Sequence, residues 1–140
     1  MKNNTTDIRN YVRYKIVKSN HSLRAASLLM ENAFYNEAIS RLYYACFYLV
    51  KAYLCEHSLE AKTHEEIRDM MRIHLVQTKA ITENDVIFYS NIFEIRHSVD
   101  YGYFIDFDKK IAQVLFTETE IFIINIKELI SDDFTNENLY

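Results

Sequence analysis

Residues 96–103 read Arg-His-Ser-Val-Asp-Tyr-Gly-Tyr, so a guanidinium, an imidazole, a carboxylate and two phenols stand within one short stretch. The planar fork of an arginine bonds two phosphate oxygens at once. An imidazole is the side chain best poised to move a proton near neutral pH. Arg96 and Asp100 also stand at i and i+4, where a helical ion pair contributes only about 0.3–0.5 kcal/mol. A second group, Arg41, Tyr44, Tyr48 and Lys51, recurs at three- and four-residue steps and so shares one helix face. Phosphate or nucleotide binding is the chemistry these residue types suit. The plainer alternative is that they close a helix end and cover a chain reversal.

Other chemistries find little support. The five histidines (His21, His57, His64, His74, His97) form no H-x-x-x-H or H-E-x-x-H pattern, so no metal is expected. One glycine cannot build a phosphate-cradling loop or a nucleophile elbow, and no cofactor is expected. Cys46 and Cys55 are nine residues apart, which on a helix sets them on opposite sides. They can neither bridge nor form a C-x-x-C site, and free thiols suit a reducing cytoplasm.

The elements that must position these groups are helices. In 140 residues Gly occurs once and Pro never, while sheet folds consume both. With 49% hydrophobic and 14% aromatic residues, the expectation is an all-α fold in a single domain spanning 1–140, with 1–6 and 133–140 as frayed tails. A first helix is expected over 7–32, capped by Thr6, with an apolar stripe of Val12, Ile16, Leu23, Ala26 and Met30. A second is expected over 36–57. Its centre is apolar nearly all round, and Ala38, Leu42, Ala45, Leu49 and Ala52 form its packing seam. Such a helix is hard to cover within one small bundle, which argues for a dimer. Thr63-His64-Glu65-Glu66 is a capping box opening a third helix to about 77, and Thr82-Glu83-Asn84-Asp85 opens a fourth to about 100. Gly102 is expected to stop it. Asp106 is expected to cap a fifth helix over 107–131.

The net charge is −4, unevenly spread: residues 1–72 carry 11 Lys/Arg against 8 Asp/Glu, and the remainder 5 against 12. Between Ile8 and Met30 lie Arg9, Arg13, Lys15, Lys18 and Arg24 with no acid. That face suits a phosphate backbone, or else it is simply solvated. No signal peptide and no membrane-length apolar run is visible, so the expected location is cytoplasmic.

Taken in order, Tyr35-Asn36-Glu37-Ala38, Ser40-Arg41-Leu42-Tyr43-Tyr44-Ala45-Cys46-Phe47, Lys51-Ala52-Tyr53-Leu54, Thr63-His64 and Arg96-x-x-x-Asp100-Tyr101 resemble the HEPN family, in particular its small stand-alone bacterial branch. The resemblance implies an antiparallel up-and-down bundle of four main helices plus a shorter one. It implies a homodimer through the second and fourth segments. It implies the toxin or toxin-like subunit of a pair with a nucleotidyltransferase, acting on RNA as a metal-independent endoribonuclease. The alternative is a non-catalytic module that binds a nucleotide or partner protein. In the family's active motif an Arg is followed after four to six residues by His; here Tyr101 and Tyr103 follow Arg96 instead. The candidate catalytic residues are therefore Arg96 and His97. The phosphate- or nucleotide-binding candidates are Arg41, Tyr44, Lys51, Arg96 and Tyr101. Tyr101 and Tyr103 are candidates for modification, with His64 and Asp100 as accessories.

Overall fold

The computed structural model describes residues 5–101, 105–131 and 134. Its elements are α1 (Thr5–Glu31), α2 (Tyr35–Glu56), α3 (His64–Met71) with a π-helical turn over Arg72–Val76, α4 (Glu83–Asp100) and α5 (Lys109–Lys127). They form an antiparallel helical bundle with α2 at its centre, packed by α1, α4 and α5. Among the described residues no helix is long and apolar enough to cross a membrane.

The small-and-large seam of α2 drives that packing. Ala38, Leu42, Ala45, Leu49 and Ala52 are all fully buried, Val12, Ile16 and Ala26 of α1 are buried too, and α1 packs on α2. Small residues let helix axes approach closely, and the buried Ser19 hydroxyl donates to the Ala45 carbonyl across the gap (2.7 Å). Lys127 Nζ donates to Asn20 Oδ1 (2.8 Å), tying the end of α5 to α1. Half of the residues of α2 are thus buried within one chain, while Tyr44, Phe47 and Tyr48 stay partly exposed, so the cover is incomplete as the apolar pattern of the helix led one to expect. Apolar side chains are also exposed elsewhere, four of them on α5, where Ile111, Val114, Ile121 and Ile124 are about half exposed.

Helix ends follow local chemistry. Thr63 accepts from the Glu66 amide while the Glu66 carboxylate accepts from the Thr63 amide; Thr82 and Asp85 do the same at α4. Three further ends use a left-handed residue that is not glycine: Ala33 (φ 62°), Ser58 (φ 56°) and Lys79 (φ 64°). Each is followed by an amide reaching five residues back, Phe34 to Leu29, Leu59 to Leu54 and Ala80 to Leu75, which satisfies a carbonyl that the helix leaves open.

Two starts differ from expectation. Helix α1 already includes Thr5 and Thr6, so Thr6 is not its cap and the helix enters the stretch expected to fray. Helix α5 begins at Lys109, capped by Asp108 through the Ile111 amide (2.9 Å), not by Asp106. Asp106 instead lies in an irregular segment held by Asn36, whose Oδ1 accepts from the Phe107 amide (2.9 Å) and whose Nδ2 donates to the Ile105 carbonyl (2.8 Å). The proposed stop at Gly102 and most of the tail lie outside the described residues; Phe134 is buried.

Candidate functional site

Arg96 lies in the last turns of α4 and turns toward α2. Its Nη2 donates to Tyr44 Oη (2.9 Å), and its guanidinium carbon lies 5.4 Å from the Tyr43 ring centre and 5.1 Å from that of Tyr44. Arg96 Nε is 2.8 Å from Asp100 Oδ2, off the N–H axis, so that contact is charge attraction more than an aligned hydrogen bond. The other Asp100 oxygen accepts from Ser40 Oγ of α2 (3.3 Å). Arg41, one turn before Tyr44, lays its guanidinium over the same ring at 5.0 Å. Two cations therefore share one phenol, at attractions of about 0.5–1 kcal/mol per exposed contact.

The structure thus brings together Arg41, Tyr44, Arg96 and Asp100. Lys51 does not join them. It stands ten residues along α2 from Arg41, about 15 Å of helix, and its Nζ donates to the Ala61 carbonyl (3.0 Å). Periodicity gave it the right face but the wrong end of the helix.

The imidazoles lie on another side of α4. His97 is adjacent to Arg96 and so points about 100° away. Its ring lies between Phe93 (6.2 Å) and the exposed Tyr101 (4.3 Å, 30° between planes). His64, at the start of α3, stacks flat on Phe93 (3.4 Å, 9°), so one aromatic column runs His64, Phe93, His97, Tyr101. Burial, reinforced by Arg68, lowers the His64 pKa, and both its ring nitrogens are buried without a hydrogen-bond partner among the described residues. His64 is held as a neutral ring in this column, not beside Arg96 by any contact described here. Tyr103 lies outside the described residues.

Sequence reasoning did not assign roles to Ser40, Tyr43 and Phe93. Ser40 precedes Tyr44 by four residues, which is the signal that places it on the same face. Tyr43 reads as core, and it is buried, yet its ring floors the Arg96 site. Among the described residues no three His, Cys, Asp or Glu gather closely enough to hold a metal ion. What the Arg96 arrangement can do chemically is hold an anion: of the five guanidinium N–H donors one goes to Tyr44 and Nε faces Asp100, which orients the remaining three, with a second guanidinium alongside.

A family model described as the HEPN domain matches residues 12–129. A Thermotoga maritima chain named UPF0332 protein is 30% identical over 115 residues, covering 82% of this chain and 87% of the relative. Two Methanocaldococcus jannaschii chains, each named as a candidate toxin, are 29% identical over 113 residues and 28% over 126. The alignments cover 81% and 90% of this chain, and 77% and 93% of those relatives.

Proposed function

The chain belongs to the HEPN domain family, and from that premise we propose that it is the toxin-like subunit of a pair with a nucleotidyltransferase, a cytoplasmic homodimer that acts on RNA. The observation that carries this reading is the Arg96 site, where a guanidinium is fixed by Tyr44 and Asp100 with Arg41 beside it. Two copies meet through the α2–α4 face, so that their Arg96 side chains face a common cleft. Arg96 holds the scissile phosphate and stabilises the charge that develops on it. The ribose 2′-oxygen attacks phosphorus, the bond to the 5′-oxygen breaks, and a cyclic phosphate and a 5′-hydroxyl result. That route needs no metal. The proton leaving the 2′-hydroxyl and the proton gained by the 5′-oxygen fall to His97, with Tyr101 as the remaining candidate, since both ring nitrogens of His64 are buried. General acid–base assistance is typically worth about 10²–10⁴-fold in rate. With Tyr where the family's His would stand, the enzyme is weak.

A second reading is favoured by the same departure. Arg96 is already engaged by Asp100, and a tyrosine replaces the histidine, which suits a non-catalytic module that binds a nucleotide or a partner protein at this groove. Tyr101, exposed at 66%, is the open phenol for modification by the partner. Expression in a bacterial host separates the readings. The toxin reading predicts growth arrest that Arg96→Ala relieves and that co-expression of a nucleotidyltransferase encoded beside the gene suppresses. Unimpeded growth on strong expression of soluble wild-type protein would favour the binding module.

A further inference from the structure

A second surface, outside the Arg96 site, pairs cations with phenols in a way that the toxin reading does not use. Tyr11, Tyr14, Lys15 and Lys18 share one face of α1 by i+3/i+4 spacing. Lys15 Nζ lies 5.1 Å from the Tyr11 ring centre, 5.8 Å from Tyr14 and 5.2 Å from Tyr48 of α2. Lys18 Nζ lies 5.9 Å from Tyr14 and 5.5 Å from Tyr48. Tyr48 in turn stacks on Tyr44 (5.9 Å, 29°), the phenol that carries Arg96 and Arg41. Cations and rings therefore follow one another from α4 across α2 to α1 in steps of 5–6 Å, with the Tyr44–Tyr48 stack as the one ring-to-ring step. It ends beside a cleft of about 550 Å³ lined by Tyr11, Lys51, Cys55 and Lys62.

No carboxylate among the described residues pairs with Lys15 or Lys18, and α1 has no acid between Asp7 and Glu31. The cations repel one another: the Lys15 pKa is lowered by burial and then by Lys51 and Lys18. A polyanion relieves that repulsion. Tyr14 is 56% exposed and Tyr11 39%, so part of each ring is open to a ligand.

We infer that Tyr11, Tyr14, Lys15, Lys18 and Tyr48 form a binding strip for single-stranded RNA, its phosphates on the lysines and its bases on the tyrosine rings. The inference rests on the reading that Arg96 takes an RNA phosphate, because the strip then leads the strand to that site. Its length suits on the order of four nucleotides, the low end of sites built from stacking rings and cations. A duplex offers no open base faces and binds less well.

The test is fluorescence anisotropy of a labelled 12-nucleotide RNA, single-stranded or in duplex, against wild type, Tyr14→Ala, Lys15→Ala/Lys18→Ala and Arg96→Ala. Circular dichroism confirms that each variant is folded, and Tyr14 is exposed enough for its variant to stay so. Tyr14→Ala should weaken binding roughly 5- to 100-fold. The double lysine variant should lower the slope of log affinity against log salt by about 1.4, two single-strand phosphate contacts. Wild type that fails to bind, strip variants that bind as wild type does, or duplex bound as tightly as single strand would each overturn the strip. Strip variants that bind normally while Arg96→Ala abolishes cleavage would sink the strip and leave the toxin reading. Binding lost in the strip variants but unchanged in Arg96→Ala, with no cleavage by wild type, would sink the toxin reading and leave the strip.

Discussion

The bond from Arg96 to Tyr44 is, with that from Ser40 to Asp100, one of two side-chain hydrogen bonds described between α4 and this face of α2, and its strength can be predicted. Arg96→Met keeps most of the aliphatic stem and removes the charge; Tyr44→Phe keeps the ring and removes the hydroxyl. A hydrogen bond to a charged group is worth about 1.5–3 kcal/mol net. The Arg96 side chain is 21% exposed, so water competes for it and the lower end applies. Tyr44→Phe should therefore cost about 1.5 kcal/mol. Arg96→Met also loses the ion pair with Asp100, about 0.2–1 kcal/mol at this exposure, and the attraction to two rings, about 0.5–1 kcal/mol each. These terms share atoms and do not simply add, so about 2–3 kcal/mol is expected. Urea unfolding of the wild type, both singles and the double variant gives the coupling directly, and about 1–1.5 kcal/mol is expected for this pair. A coupling below about 0.3 kcal/mol, the scatter of independent sites, would refute the claim that this bond fixes Arg96 on α2.

Removing the α3 capping box with Thr63→Ala should cost about 1 kcal/mol in a urea or thermal melt, with Thr82→Ala behaving alike. Ala33→Gly and Lys79→Gly should each stabilise by up to about 1 kcal/mol, since a left-handed residue with a Cβ is strained; a loss of stability would argue against the positive φ. The His64 pKa is lowered in the folded state, so below about pH 6.5 the unfolded chain binds more protons there. The stability due to His64 is thus full above that pH and is lost as pH falls through the folded value; His64→Phe should flatten that part of a stability–pH profile. Light scattering at tens of micromolar should give a dimer that survives Ile121→Glu on α5; a dimer lost in that variant would put the interface on α5 instead.

Much of the fold was legible because its signals are local. The two T-x-x-E/D boxes, the seam of α2 and the turn-poor composition each act through neighbours in sequence. The start of α5 was not legible: Asp106 and Asp108 are two residues apart, both suited to capping, and the choice is made by Asn36, which holds residues 105–107 outside the helix from some 70 positions away. The left-handed residues Ala33, Ser58 and Lys79 carry no glycine to mark them. At the site, helical spacing put Arg41 and Tyr44 on one face of α2 and paired Arg96 with Asp100 on α4; that the two faces lie side by side was expected from the family resemblance and not from spacing. It misassigned Lys51 because spacing gives direction around a helix and not proximity along it. Tyr43 was hidden by its apolar neighbours, since a buried phenol and a site floor look alike in sequence.

The central claim is that Arg96 binds and activates an RNA phosphate. The most direct measurement is incubation of purified wild type, Arg96→Ala and His97→Ala with labelled RNA in the presence of a chelator, with analysis of the product ends. Slow cleavage to 2′,3′-cyclic phosphate and 5′-hydroxyl ends is predicted for wild type, lost in Arg96→Ala and slowed about 10²-fold or more in His97→Ala. Cleavage that persists undiminished in Arg96→Ala, or that leaves 3′-hydroxyl ends, would contradict it.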